Sequence, residues 1–290
     1  MSLHAKNMIP TKASERESYT LTKIEIEGIP NAHILESDSI DSLLVAPGRH
    51  LLGYPRQKAA FAATVTWIDA LMASKELPEN LQELCTVTVM AEGCGHNLPG
   101  ALGCALDGAH YRGDNWIGVS RFALPNVAGQ EYTDFDAKVT YMRVHSNAPV
   151  WLMLDTIATG ATLVKGLTAT FQNCQKPKRI LLAASCGSIV GTRKVVEFLQ
   201  SEKIDVHVTF WGAAFGLWHD GTGLPWCHPD TKISGTTRGV TNRGIAGRLF
   251  NEIPGFCAVG DCSANFFDVE DAKKVLKEEE YKFSWKLPAL

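Results

Sequence analysis

The chain has 290 residues, of which 45% are hydrophobic and 20% charged, and its formal net charge is −3. This length accommodates one large or two small domains, and the composition is that of an ordinary globular protein. The charge argues against nucleic acid as a partner, because nucleic-acid-binding surfaces carry a surplus of Lys and Arg. No apolar run reaches the length of a membrane span, so we expect no membrane partner.

The N-terminus and the cysteines both indicate a cytoplasmic protein. Residues 1–18 are polar and mixed in charge, and they lack the apolar core of a signal peptide, so we predict a flexible tail. The 8 cysteines stand at irregular positions with no Cys-x-x-Cys pair. That pattern is typical of buried free thiols in a reducing compartment, and it disfavours disulfides and structural zinc.

Strand and helix patterns follow one another along the rest of the chain. Alternating apolar residues predict a half-exposed strand over 19–30, and helical spacing predicts a helix over 59–73. The further predicted elements are a strand at 84–90, a helix at 98–106, a short strand at 116–119, a long loop or hairpin at 121–148, a strand at 150–153 with a helix from 163, a strand at 179–184 with a helix at 189–200, and a strand at 206–210. Repeated strand–helix units favour an α/β fold with a central parallel sheet flanked by helices.

Ligands of such sheets bind at the carboxyl ends of the strands. Four predicted loops converge at that edge, at residues 91–97, 155–162, 185–189 and 211–236. The last of them is dense in Gly, Trp, His and Asp, and a segment this long with little periodicity is usually functional or disordered. Its three tryptophans argue against disorder.

Residues 150–163 carry the strongest functional pattern in the chain. Four apolar residues precede Asp155, and the small-residue turn Thr159-Gly160-Ala161-Thr162 then opens a helix. Free N–H groups and the helix dipole favour an anion at such a helix start, and small residues let a phosphate reach the backbone. An ionised Asp only accepts hydrogen bonds, which suits sugar hydroxyls. The segment predicts a sugar-phosphate site, the alternative being an ordinary strand-to-helix turn.

This segment resembles the phosphoribosyl-pyrophosphate (PRPP) motif of type I phosphoribosyltransferases. In that motif four apolar residues and two acidic positions precede a Thr-Gly-Gly/Ala-Thr/Ser loop. Here the second acidic position is Asp155, whereas Leu154 replaces the first. The order of parts over residues 50–236 is most similar to the uracil phosphoribosyltransferases.

Four further segments carry that similarity. Residues 179–188 resemble the strand ending in small residues that follows the PRPP motif. Residues 84–95 resemble a strand with its Gly-containing pyrophosphate loop, although the Glu92-Gly93-Cys94-Gly95 run lacks the expected Arg or Lys. Residues 117–121, Ile-Gly-Val-Ser-Arg, resemble the Ile-Gly-x-x-Arg segment before a mobile loop. Residues 223–236 resemble, more loosely, the loop that holds uracil.

The resemblance implies a type I phosphoribosyltransferase-like fold and transfer of phosphoribose from PRPP to a nucleobase, with uracil as the expected base. It also implies Mg²⁺ bound mainly through PRPP, and a homo-oligomer. The implied site residues are Asp155, Thr156, Ala158, Thr159, Gly160, Ala161, Thr162, Gly93, Cys94 and Gly95 for PRPP, Gly223, Leu224 and Trp226 for the base, and Asp155, Arg121 and Asp230 for catalysis.

These parts predict three regions and leave two alternatives open. After the 1–18 tail come a phosphoribosyltransferase-like domain at 19–236, which includes a hood loop (residues 211–236), and a C-terminal appendix packed on it at 237–290. One alternative is a regulatory protein that binds a nucleotide without turnover. The other is a hydrolase, because residues 184–188 place Cys and Ser on a predicted strand-to-helix turn, although the G-x-S-x-G pattern is absent.

Overall fold

The computed structural model describes residues 16–45, 54–90, 92–125, 127–145 and 147–250. Its strands are β1 (Tyr19–Ile26), β2 (Ile29–Ser37), β3 (Leu84–Met90), β4 (Gly113–Ala123), β5 (Phe135–Arg143), β6 (Val150–Ile157), β7 (Arg179–Ser188), β8 (Asp205–Trp211), β9 (Ala213–Phe215) and β10 (Lys232–Ile233). Its helices are α1 (Asp38–Leu44), α2 (Tyr54–Ala73), α3 (Glu92–His96), α4 (Leu98–Ala105), α5 (Ala161–Asn173), α6 (Ile189–Ser201) and α7 (Thr237–Phe250), with a 3₁₀ turn at Leu81–Glu83.

All of these strands belong to one mixed sheet, whose main path has the order β1-β2-β8-β7-β6-β3-β4-β5. Along this path, each pair of neighbouring strands from β2 through β8, β7, β6 and β3 to β4 is parallel. At the two edges of the sheet, β1 pairs with β2 and β4 pairs with β5 in antiparallel hairpins. The predicted α/β class, a mostly parallel sheet flanked by helices, is confirmed. None of the helices in the described ranges combines the length and the apolar character needed to cross a membrane.

The strand order reverses between β3 and β6. From β3 the chain moves outward to β4 and β5, and from β6 it moves the other way to β7 and β8. Such a reversal opens a crevice at the carboxyl ends of the two central strands, and ligands of open α/β sheets bind there. The order of the strands therefore points to the ends of β3 and β6 before any side chain is considered.

Helices cover both faces of the sheet and divide the apolar core into two layers. Trp67 of α2 and Leu154 of β6 belong to the layer under α1, α2 and α4. Trp151 of β6 and Leu167 of α5 belong to the layer under α5 and α6. Every residue of β6 after the first is buried, as expected for a central parallel strand that is covered on both sides.

Two central strands are longer than the sequence predicts. β6 continues from the predicted end at 153 to Ile157, and β7 continues from 184 to Ser188, so the turn predicted at 186–188 is strand. The two extensions pair with each other, Thr156 with Cys186 and Ile157 with Gly187. In β7 this pairing carries the strand through Gly187, a residue type that is depleted in strands.

At the start of the described chain, a hairpin replaces the single predicted strand. Residues 19–30 start a hairpin of β1 and β2, and Gly28 makes its turn with φ +77. Arg16 pairs with Asp69 at 2.7 Å and Thr66 donates to Glu17 at 2.7 Å, so the end of the predicted tail is anchored. Residues 1–15 and 251–290 lie outside the described residues.

Candidate functional site

A cleft of about 140 Å³ opens at the reversal point of the sheet. It is lined by the ends of β3 and β6, the middle of β4 and the first turn of α5. The lining residues are Val89, Met90, Val119, Arg121 and Asp155 together with the continuous segment 156–163. The sugar-phosphate segment predicted from the sequence therefore lies at the position where the topology expects a ligand.

The first turn of α5 faces this cleft without a side-chain cap. Gly160 is its N-cap with φ +76, so no side chain at the cap position accepts a hydrogen bond from the first N–H groups, and the first turn holds no acidic residue. The leading N–H groups of a helix have no partner within it, and the helix dipole makes them attractive to an anion. The helix begins at Ala161, two residues before the predicted start at 163.

The start of α6 packs against the turn that precedes α5. The hydroxyl of Ser188 donates to the carbonyl of Ala158 and accepts from the N–H of Gly191 at 2.8 Å. A Cβ on Gly191 would lie 2.0 Å from the Ala158 oxygen, and a Cβ on Gly160 would lie 2.5 Å from the Gly191 oxygen. Both positions need glycine because the two backbones touch, and the contact fixes the shape of the turn before α5.

Asp155 contributes the acidic side chain of the cleft lining. The residue is 5% exposed and lies near the end of β6, whereas its neighbour Leu154 is 1% exposed and packs into the layer under α2. Successive strand residues point to opposite faces of the sheet. The presence of Leu154, where the PRPP motif has an acidic residue, therefore leaves the direction of the Asp155 side chain unaffected.

A bulge in β7 adjoins Asp155. Asp155 pairs with Ala184 but Thr156 pairs with Cys186, so Ser185 is the extra residue. The Ser185 hydroxyl lies 3.3 Å from the carbonyl oxygen of Asp155 and 3.2 Å from the hydroxyl of Thr156. Bulges are common beside active sites, where they redirect a side chain.

Arg121 contributes the cation of the cleft lining. It lies in β4, two residues before the strand ends, rather than at the start of a loop as the sequence comparison implies. Its guanidinium carbon lies 4.8 Å from the centre of the Phe135 ring, over the ring face. An acidic and a basic side chain therefore flank the helix start from two different strands.

The predicted pyrophosphate loop has a different local structure. Gly93, Cys94 and Gly95 belong to the short helix α3 and are absent from the cleft lining. Gly93 is buried, and a Cβ there would lie 3.1 Å from Cγ2 of Thr88, whereas Cys94 is exposed. We attribute no ligand contact to α3.

Two of the three predicted base contacts are core residues. Leu224 is 0% and Trp226 1% exposed, so neither has a surface to offer a base. The indole N–H of Trp226 donates to the Leu44 carbonyl at 2.9 Å, and its ring meets Phe215 edge-on at 5.2 Å. The structure gives no support to the expected base-binding role of these two residues, because apolar burial takes up both side chains, and that role stays a prediction.

The remaining predicted residues of the hood loop also lie outside the cleft lining. Gly223 donates its N–H to Asp220 at 2.7 Å within a tight turn. The Asp230 side chain is 75% exposed and stands 3.7 Å from Nδ1 of His228. The structure therefore does not bring Asp230 together with Asp155 and Arg121 in the cleft.

The hydrolase alternative is contradicted by the extension of β7. Cys186 and Ser188 are 0% exposed and Ser185 is 2% exposed, so no nucleophile stands on an exposed turn. A nucleophile elbow needs a sharp turn that presents the reactive atom to the substrate. Ser188 instead caps α6, a role that its position before an apolar helix pattern could have revealed from the sequence.

Comparisons with known proteins give a general likeness of fold. Neither a family model nor a curated protein sequence matches the chain. The chain is similar to the AQ2163 protein from Aquifex aeolicus, with 14% identity and a TM-score of 0.44 over 62% of this chain and 83% of that one. It is also similar to an adenine phosphoribosyltransferase from Trypanosoma brucei, solved with AMP, pyrophosphate and ribose-5-phosphate, with 14% identity and a TM-score of 0.38 over 66% of this chain and 86% of that one. Likeness at this level says nothing about activity, so function has to be inferred from the cleft.

Proposed function

We propose that the protein binds PRPP in this cleft and transfers its phosphoribosyl group to a nucleobase, giving a nucleoside monophosphate and pyrophosphate. One observation carries the proposal: the uncapped start of α5 lies at the reversal point of the sheet, with Asp155 beside it. The first feature suits a phosphate and the second suits ribose hydroxyls.

Each part of PRPP has a counterpart in the cleft lining. The 5′-phosphate would rest on the backbone amides at the start of α5, with the hydroxyls of Thr159 and Thr162 as further donors. Asp155 would accept hydrogen bonds from the ribose hydroxyls. Arg121 would bind the pyrophosphate group, because a guanidinium forms charge-assisted hydrogen bonds with phosphate oxygens.

The proposed reaction breaks the bond between carbon 1 of the ribose and the pyrophosphate oxygen, and a ring nitrogen of the base forms the new bond to that carbon. Positive charge develops on the ribose as the old bond breaks. Catalysis would then consist of positioning and of electrostatic stabilisation, with Asp155 beside the ribose and Arg121 beside the leaving group.

Magnesium is part of this proposal as an ion carried by the substrate. In the described ranges, no group of three or more His, Cys, Asp or Glu side chains is placed to hold a metal ion. A single carboxylate such as Asp155 fits Mg²⁺, which keeps several waters and binds largely through substrate phosphates. When bound, the ion would offset the charge of the pyrophosphate.

A nucleotide-binding regulator without turnover is the second candidate. Two observations favour it: Leu154 stands where the motif has a second acid, and α3 supplies no Arg or Lys after β3. Such a protein would keep the phosphate site but have Arg121 as the one cation of the cleft lining, in the described residues, for the leaving group. Because the expected base contacts are buried, uracil is the first base to test rather than an assigned substrate.

A base-to-nucleotide assay separates the two candidates. The protein would be incubated with PRPP, Mg²⁺ and radiolabelled uracil, adenine, guanine or hypoxanthine, and PRPP binding would be measured in parallel by calorimetry. Labelled nucleotide with any base supports the transferase. Saturable PRPP binding without product from any base supports the regulator, and absence of PRPP binding contradicts both.

A further inference from the structure

Arg121 and Phe135 share one face of the β4–β5 hairpin. Arg121 pairs with Ala137, and Ala123 pairs with Phe135, so Arg121 and Phe135 are diagonal neighbours on the same face. Ala137, on that face, is 2% exposed and the hairpin packs against α5. The shared face therefore looks toward the start of α5 and the cleft.

A tight turn of the hood loop (residues 218–223, the hood turn) is built as a rigid unit. The Asp220 carboxylate accepts the N–H groups of Thr222 and Gly223, each at 2.7 Å. The Trp218 N–H donates to the Gly223 carbonyl at 2.8 Å, and Gly221 adopts φ +72. Glycine adopts that backbone conformation at little cost because it has no Cβ.

The hood turn is pressed against the hairpin. The Thr133 N–H donates to the His219 carbonyl at 2.8 Å. A Cβ on Gly221 would lie 1.9 Å from the Thr133 oxygen and 3.0 Å from Cε2 of Phe135. The Phe135 ring thus carries the Arg121 guanidinium on its face and meets the Gly221 backbone at its edge.

Two ion pairs also attach this part of the hairpin, Lys194 with Asp134 at 3.5 Å and Lys165 with Asp136 at 3.4 Å. Both are substantially exposed, and exposed pairs contribute little. The close contact between Gly221, Thr133 and Phe135 is therefore the better candidate for what fixes the ring.

We propose that Phe135 is a positioning residue for the anionic end of the substrate: its ring, backed by the hood turn, holds Arg121 over the cleft. This inference rests on the proposed function and deepens it. A free arginine side chain loses rotamer freedom when it binds an anion. Ordering Arg121 beforehand removes part of that cost, so PRPP binds more tightly. The hood loop would then influence binding of the pyrophosphate group through Phe135 and Arg121, without itself contacting the pyrophosphate.

A double-mutant cycle on PRPP binding tests the proposal. Calorimetry with PRPP and Mg²⁺ would compare the intact protein with Phe135→Leu, Phe135→Trp, Arg121→Gln and the Phe135→Leu/Arg121→Gln pair. We expect Phe135→Leu to weaken binding roughly 3- to 30-fold, the range of a cation–π contact, and Phe135→Trp to keep it. In the Arg121→Gln background, Phe135→Leu should have no further effect, because its partner is gone.

Gly221→Ala provides a second, independent variant should Phe135→Leu fail to fold. It leaves both side chains in place but removes the backing of the ring, so PRPP affinity should fall within the same range. Thermal denaturation would establish that each variant is folded. The positioning role is overturned if Phe135→Leu or Gly221→Ala leaves PRPP affinity unchanged. It is also overturned if Phe135→Leu lowers PRPP affinity by the same factor with and without Arg121. Absence of PRPP binding by the intact protein is a different outcome, which overturns the proposed function together with this inference.

Discussion

Asp155 is the residue on which the proposed chemistry of the cleft depends most. It is the one acidic side chain among the cleft-lining residues in the described part of the chain. Its burial at 5% exposure places its charge where a hydrogen bond to a ligand is worth more than in water. Asp155 should therefore contribute to ligand affinity more than to folding.

Replacing Asp155 with Asn tests this assignment at constant size. We expect PRPP affinity to fall roughly 10- to 100-fold, because a hydrogen bond to a charged group is worth ~1.5–3 kcal/mol. Calorimetry measures the loss, and thermal denaturation should show an intact fold. Asp107→Asn is the matched control, since Asp107 has φ +51, a conformation that Asn tolerates, and lies outside the cleft lining. Equal affinities for the two variants would remove Asp155 from the site.

Ser188 has a structural role at the same site. Its hydroxyl caps α6 and also ties down the Ala158 carbonyl. Ser188→Ala should lower the free energy of unfolding by about 1–2 kcal/mol, the usual cost of losing a helix N-cap. Urea denaturation measures the change, and Ser201→Ala at the other end of α6 should cost less. An unchanged midpoint for Ser188→Ala would contradict the capping role.

Some residues of the candidate site could be predicted from the sequence and others could not. Asp155 and Thr159–Thr162 could be identified because strand, turn and helix are contiguous in sequence. Leu224 and Trp226 could not, because a Trp in a loop is compatible with stacking on a base and with core packing. In the structure Trp226 packs against Phe215 and donates to the carbonyl of Leu44, a residue 182 positions away in the chain that no local pattern could pair with it.

Among the elements, the junction of α5 and α6 controls the shape of the turn proposed to bind phosphate. Gly191→Ala would place a methyl group 2.0 Å from the Ala158 oxygen, so the turn has to move. We expect a loss of stability and a loss of PRPP affinity of roughly tenfold or more, which corresponds to ~1.4 kcal/mol. Differential scanning fluorimetry and calorimetry measure the two effects.

Gly103→Ala is the control for that substitution. Gly103 lies in α4 with nothing within 4 Å of an added Cβ, so alanine there should be neutral or stabilising by up to ~1 kcal/mol. If the Gly191→Ala protein were as stable as the Gly103→Ala protein and bound PRPP equally well, the junction of α5 and α6 would not control the shape of the turn.

Sequence patterns located most elements but misplaced the ends that form the site. The strand predicted at 84–90 agrees with β3, because its apolar, β-branched run is bounded by clear breaks. The ends of β6 and β7 were missed because Thr156 and residues 185–188 are small or polar, and their strand conformation results from pairing with each other. Pairing partners distant in sequence carry no local pattern.

On the scale of the whole molecule, a second polar cluster joins the hairpin of β1 and β2 to the parallel sheet. The rings of His33 and His207 stack at 4.8 Å across β2 and β8. Nδ1 of His207 lies 3.6 Å from Glu76, which also binds Arg179. Burial lowers the pKa of His207 to about 4 despite the opposing attraction of Glu76, and burial also lowers the pKa of His33.

These shifts predict how stability depends on pH. A histidine whose pKa is lower in the folded than in the unfolded protein stabilises the fold less as the pH falls, because the unfolded chain takes up the proton first. The free energy of unfolding should therefore decrease from about pH 7 to about pH 5, below the ordinary histidine pKa near 6.5. Urea denaturation across this range, with His207→Gln as the comparison, measures the slope. An identical slope in the variant would contradict the contribution of His207.

The strand order gives the strongest reason to expect a ligand at the cleft, and the sequence could predict it only in part. Successive strand–helix units predicted a parallel sheet, but the reversal between β3 and β6 follows from how distant strands pair. Once the reversal is known, the carboxyl ends of those strands become the expected binding site. The segment singled out from its sequence lies there, so two independent lines lead to one place.

A crystal structure of the protein with ribose 5-phosphate would show directly whether a sugar-phosphate lies at the start of α5. We expect phosphate density against the backbone amides that open α5, with the ribose hydroxyls turned toward Asp155. Phosphate bound elsewhere on the sheet, or a cleft that holds solvent alone at saturating ribose 5-phosphate, would contradict this expectation.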